Sequence, residues 1–147
     1  MVCDVIQATV DKIKEHYPNA KIYDTEVKQG LIMPCFFVSS PDLEEFSKLR
    51  NIYEMQFPIH ITYIVDDKQD DYMSLINDCK GKFSSSFTTL TTREGSMLHV
   101  KKKTIEYDSV ERLLRIFFEV RIRCYRKQEG DKIYQVIWKG VSINETK

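Results

Sequence analysis

From Leu114 to Tyr125 the chain alternates without a break: Leu114, Ile116, Phe118, Val120, Ile122 and Cys124 against Arg115, Phe117, Glu119, Arg121, Arg123 and Tyr125. A period of two sustained over this length belongs to a strand with one face in a core, because a helix would spread the same apolar residues around its circumference. A second run behaves alike. Tyr53, Met55, Phe57, Ile59, Ile61, Tyr63 and Val65 alternate with Glu54, Gln56, His60 and Thr62. Pro58 lacks the N–H for one ladder bond, so this strand is expected to lie at an edge or to bulge there. Two strands of this kind require a sheet and a cover for its apolar face.

Two amphipathic helices are available as that cover. Val5, Ile6, Thr9, Val10, Ile13 and Tyr17 share one face over residues 4–16, and Pro18-Asn19 stops the helix. Tyr72, Met73, Leu75, Ile76 and Cys79, with Phe83 just beyond, form a second face behind the acidic run Asp66-Asp67-Lys68-Gln69-Asp70-Asp71, whose carboxylates suit a helix N-terminus. Lys21–Tyr23 and Cys35–Val38 read as short strands joined as a hairpin by a loose loop through Lys28-Gln29-Gly30, and Pro41–Glu45 as a loop or one helical turn. Residues 84–92 are rich in β-branched threonine and lead to a turn at Arg93-Glu94-Gly95. Met97–Tyr107 reads as one strand, paired with the 114–125 strand as a long C-terminal hairpin, and Ile133–Ile143 as a last strand or arm. The expected fold class is α+β, a mostly antiparallel sheet with two helices packed on one face. All 147 residues are expected to form one domain, with residues 128–147 as an extended arm.

Lys plus Arg number 22 and Asp plus Glu number 22, so no whole-molecule field draws this chain to nucleic acid or an anionic bilayer. No basic leader or membrane-length apolar run is present, and Cys3, Cys35, Cys79 and Cys124 form no C-x-x-C pair, which fits thiols in a reducing compartment. The Asn144-Glu145-Thr146 sequon carries meaning only in a secreted chain.

Signs of catalysis are missing. His16, His60 and His99 stand in no metal-ligand spacing; Gly81-Lys82 has Ile76 where a phosphate loop needs glycine; and no serine sits in a G-x-S-x-G elbow. Cys35, beside Phe36 and Phe37, is expected to be a core thiol with its thiolate disfavoured. The pairs Asp66-Asp67 and Asp70-Asp71 read as a solvated helix cap, with a divalent-cation site as the alternative. No enzyme activity, cofactor or metal is therefore expected. Charge is concentrated only between Leu98 and Lys127, where a hairpin would gather the cations on its outer face. Lys101, Lys102, Lys103, Arg115, Arg121, Arg123 and, further on, Trp138 are the candidate interface residues. The interface reading sets these cations against acidic loops of a neighbour such as Asp42-Glu44-Glu45; the competing reading is a phosphate-binding stripe interleaved with Phe117 and Tyr125.

The segment from Ile22 to Leu31, Ile-Tyr-Asp-Thr-Glu-Val-Lys-Gln-Gly-Leu, followed by Pro34-Cys35-Phe36-Phe37-Val38, resembles the first hairpin of the small phage tail terminator proteins of Gram-positive myophages, prophages and phage-tail-like bacteriocins. Arg50–Tyr53 running into Phe57–Tyr63 resembles the family's next strand, and Leu114–Arg126 its long late strand. The Lys101–Lys103 run and the tail beyond Gln128 have no counterpart in that pattern. The resemblance implies a structural virion or tailocin protein with no catalytic residues. It implies a ring, hexameric by expectation, that caps the head-proximal end of the tail and terminates tube and sheath polymerisation. Implied partners are further copies of the chain, tail tube and sheath proteins, the head-tail connector in a complete phage, and weak non-specific contact with DNA in the lumen, with no membrane. A neck or connector component without the terminating role, and a nucleic-acid-binding module using residues 98–127, are the alternatives.

Overall fold

The computed structural model describes residues 2–23, 31–41, 44–49, 51–126 and 133–138. Eleven elements follow in order: α1 (Val2–His16), β1 (Lys21–Tyr23), β2 (Cys35–Ser39), β3 (Glu44–Leu49), β4 (Ile52–Ile64), α2 (Tyr72–Ser86), β5 (Thr89–Thr91), β6 (Met97–His99), β7 (Lys101–Asp108), β8 (Leu113–Arg126) and β9 (Ile133–Trp138). The two alternating runs are β4 and β8, and they pair antiparallel along most of their length, from Ile52 opposite Tyr125 to Tyr63 opposite Leu114. Because both strands are pleated in phase, Tyr53, Phe57, Ile59, Ile61 and Tyr63 share one face with Leu114, Ile116, Phe118, Val120, Ile122 and Cys124. Val5, Ala8 and Ile13 of α1 and Ile76, Cys79 and Phe83 of α2 belong to the same buried cluster. The α+β expectation therefore holds, with both helices on one face of the main sheet.

Each long strand has two neighbours in succession on its outer side. β4 pairs with β3 through residues 52–56 and with β2 through 60–64. β8 pairs with β7 through residues 113–119 and with β9 through 122–126. Half of the sheet thus runs β1-β2-β4-β8-β7 and the other half β3-β4-β8-β9. Pro58 falls where β4 changes partner. The Ser40 hydroxyl donates to the Pro58 carbonyl at 2.8 Å, and since a strand residue's N and O point to the same side, the missing N–H faces that interval. The edge expected from Pro58 is corrected: β4 is a central strand, unpaired on one side only at that point.

Three other expectations are corrected. β1 and β2 are parallel, with Lys21 opposite Cys35 and Tyr23 opposite Phe37, so they form no hairpin. The chain between them is long enough to carry β2 back to the starting end of β1, and the stacked rings of Tyr23 and Phe37, 5.3 Å apart, hold the pair. Residues 44–49, of which Glu44-Glu45 was expected in a loop or helical turn, are strand β3, paired with β4. Residues 97–107 are not one strand: β6 pairs with β5 in a separate small sheet, and the chain crosses at Val100 to enter β7 in the main sheet. The expected turn at Arg93–Gly95 is present, with Gly95 at φ +97, a conformation that strains any side chain. The long β7–β8 hairpin is present, and the last strand is β9; residues 139–143 of the expected strand lie outside the described residues.

Candidate interaction surface

Opposite the helices, the main sheet presents a face that no helix among the described residues covers. Its β8 positions are Arg115, Phe117, Glu119, Arg121 and Arg123, and its β4 positions include Glu54, Gln56, His60 and Thr62. Glu119 is the hub. Although it is only 7% exposed, its carboxylate accepts from Gln56 Nε2 at 2.8 Å and from Arg121 Nε at 2.9 Å, with Lys102 Nζ at 4.0 Å. A carboxylate this buried requires such donors, so Arg121 belongs to a network within the sheet. Glu119 is also the one acidic residue among the outward positions of its strand, a signal the sequence offered as a counter-charge and not as a hub. On the same face His60 meets Phe117 edge-on at 4.7 Å.

The remaining cations of the run divide by direction. Arg115 pairs with Asp108, and Arg112 with Asp67 at 3.1 Å, its guanidinium lying 4.6 Å from the Tyr72 ring. Arg123 is exposed, opposite Glu54 in register. Lys101 stands opposite Glu119, whereas two residues, Lys102 and Lys103, occupy the step before Thr104 meets Phe117. This bulge, with Lys102 at φ 55, turns Lys103 to the helix side. There its ammonium donates to the carbonyls of Phe83, Ser84 and Phe87 at 2.7, 3.1 and 3.0 Å, closing the C-terminal end of α2. The expectation that the hairpin gathers its cations on one outer face is corrected for Lys103, because the extra residue in β7 inverts its side chain. Trp138 is the last residue of β9, opposite Ile122; its side chain lies outside the described residues.

Among the described residues Arg112, Arg115 and Arg121 are held by acidic side chains and Lys103 by carbonyls, so these four cations are engaged within the chain. Of the aspartates before α2, Asp66 accepts from the Lys68 N–H at 3.1 Å and Asp67 holds Arg112, while Asp71 at the N-cap makes no side-chain cap bond. No group of three or more His, Cys, Asp or Glu able to hold a metal occurs among the described residues. Cys35, Cys79 and Cys124 are buried. Burial raises the Cys35 pKa and pushes that of Cys79 up to about 12, which disfavours both thiolates. No helix among the described residues is long and apolar enough to cross a membrane.

Asp108 organises the β7–β8 turn. It accepts the N–H groups of Val110 and Glu111, both at 2.9 Å, and pairs with Arg115. The Glu111 N–H first and then the Arg115 guanidinium hold its carboxyl below the usual carboxylate value. A carboxylate with a depressed folded pKa stabilises fully above the unfolded pKa, and that contribution is lost as pH falls through the folded one. Thermal unfolding from pH 6 down to pH 2 is therefore expected to show an acid-side loss, concentrated below about pH 4, that Asp108→Asn reduces. An identical acid limb in the variant would remove Asp108 from this role.

A fold of this kind, with a mixed-charge sheet face, unlike margins and no converging reactive groups among the described residues, suits a protein that works by contact. A search of curated proteins returns no match. A family model described as phage tail terminator protein matches residues 4–132, covering both helices and every strand of the sheets except β9, and the chain accordingly belongs to the phage tail terminator family, whose members are structural proteins of the tail.

Proposed function

We propose that copies of this chain close into a ring, hexameric in stoichiometry, on the head-proximal end of a tail, where the ring stops polymerisation of the tube and sheath. In a complete phage its upper surface meets the head-tail connector. The observation that carries this reading is the sheet itself: β4 and β8 hold different strands at their two sides, and a heterologous ring needs each subunit to offer two unlike, complementary patches. Residues 1–147 act as one body, and the stretch from 128 to 147 reaches a neighbour. Lys101, Lys102, Arg115, Arg121, Arg123 and Trp138 contribute to contacts between subunits or with the tail, and Lys103 supports them through α2. DNA passing through the lumen meets this face weakly and without sequence preference, in a salt-sensitive manner.

Deleting the gene from a producing strain is expected to yield tails of uncontrolled length with open upper ends in negative-stain images. Normal lengths and intact upper ends would refute the terminating role, and purified protein without rings would refute the assembly. At residue level, Arg123→Glu is expected to weaken association of the purified protein about tenfold, since like charges facing each other across an interface cost several kcal/mol before screening. Light scattering at low salt reads the change in mass. An unchanged mass would place Arg123 outside the interface.

A further inference from the structure

Among the described residues, the large apolar side chains that stand well exposed are Ile32, Met33, Phe46, Met73, Met97 and Val110. All but Phe46 and Met97 belong to one end of the main sheet. Ile32 and Met33 lead into β2 at Cys35, which stands opposite Ile64 at the close of β4. Met73 lies in the first turn of α2, reached through residues 65–71 that follow β4, and Val110 in the turn that joins Asp108 of β7 to Leu113 of β8. Val110 is the most exposed of the set, at 88%.

A side chain so exposed at the tip of a hairpin is ordinarily mobile, but this turn is fixed from two sides. Within it, the Asp108 carboxylate accepts the N–H groups of Val110 and Glu111, both at 2.9 Å, and the Asp108 carbonyl accepts that of Arg112 at 2.8 Å. From α2, the Tyr72 hydroxyl donates to the Arg112 carbonyl at 2.7 Å, while the Arg112 guanidinium lies over the Tyr72 ring and pairs with Asp67. The hairpin turn and the first turn of α2 therefore form one braced platform. An apolar residue held in place before contact loses little freedom when a partner covers it, which is how an anchor gains its weight in an interface.

Charge around the platform narrows the partner. Arg112 and Arg115 are engaged by Asp67 and Asp108, which leaves Asp66, Asp70, Asp71 and Glu111 against Lys68 among the described residues of the two loops. A surface of this sign repels a polyanion, so nucleic acid does not fit it, and it favours a protein with a basic rim. Direction narrows the partner further. In the ring reading neighbours meet beside β4 and β8, across the strand direction, so a surface at the strand ends stays outside that contact. We propose that this strand-end platform seats the chain on the end of the tail polymer, with Val110 and Met73 entering apolar hollows of a tail subunit rimmed by lysine and arginine. This deepens the terminator reading and rests on it.

The test uses tails collected from a strain that lacks the gene, sedimented with the purified full-length protein. Val110→Asp and, separately, Met73→Asp are each expected to bind these tails about tenfold more weakly than wild type, or worse, while oligomer mass and thermal unfolding stay unchanged. Val110→Ile, which keeps the apolar anchor, is expected to bind as wild type does. Asp70→Lys with Glu111→Lys is expected to weaken binding as well, because it sets like charges against the basic rim. Met97→Asp, in β6, is the control and should bind normally; an equal loss there would overturn the assignment to this end of the sheet. Full binding by Val110→Asp and Met73→Asp would overturn the platform, and full binding by the charge variant would overturn its basic partner. Loss of oligomer mass in either apolar variant would assign the surface to contacts between copies instead. In each of these cases the terminating role stands. Wild-type protein that does not bind the tails would overturn both.

Discussion

Replacing Phe36 by alanine is expected to remove about 3–5 kcal/mol of folding stability, a large share of what a domain of this size possesses. Phe36 is fully buried on β2 and stands where three elements meet. Its ring lies 4.7 Å from Tyr63 of β4, 5.1 Å from Tyr17 at the end of α1 and 6.0 Å from Phe83 of α2. Truncation leaves a cavity that none of the three can fill alone, because each is fixed by its own backbone, and it also removes aromatic contacts worth about 0.5–1.5 kcal/mol each. The neighbouring residue provides the comparison. Phe37 points to the other face, half-buried against Tyr23, and Phe37→Ala is expected to cost no more than about 1–2 kcal/mol. Urea denaturation of the two variants measures the difference; equal midpoints would mean that the core is not centred where these rings place it.

Lys103→Met is the second large effect. Methionine keeps an apolar stem of similar length but takes away the donor that meets three carbonyls at the end of α2. Hydrogen bonds from a charged donor are worth about 1.5–3 kcal/mol net, and a cation at a helix C-terminus adds several tenths, so a loss of about 2–3 kcal/mol is expected. Lys102→Met changes the same residue type one position earlier, where the side chain is 69% exposed, and is expected to cost less than about 0.5 kcal/mol. Thermal unfolding separates the two readily. Similar losses from both would show that the carbonyl contacts of Lys103 carry no special weight.

This pair of lysines also marks where the sequence stops being readable. Alternation locates β4 and β8 because each is flanked on both sides and covered on one face, so burial imposes its period directly on residue choice. The helices are legible for the same reason, through Val5, Ile13, Ile76 and Cys79, although α2 continues through Phe83 to Ser86, past the end expected from the sequence. β3 is not, because an edge strand is shaped by its unpaired side as much as by its neighbour: Phe46 is 43% exposed and the glutamates follow no face. The parallel pairing of β1 leaves no local mark, since direction is decided by a connection and not by the strand. The bulge in β7 is invisible in three consecutive lysines, yet it decides which of them faces solvent and which enters the fold. The cations of this run are therefore recognisable as a group, while what each one touches depends on one inserted residue and on Glu119, the carboxylate that gathers Gln56 and Arg121.

The change of partner at Pro58 constrains how a chain like this can vary in length. β3 and β2 take their alignment from a single continuous strand, as do β9 and β7 from β8. Adding or deleting one residue near Pro58 would leave the half that contains β2 untouched and turn every side chain of the other half inside out, exchanging Tyr53 and Phe57 for Glu54 and Gln56 in the core. Tolerated insertions must then accumulate in the connections, and homologues of different size should keep these two strands at constant span.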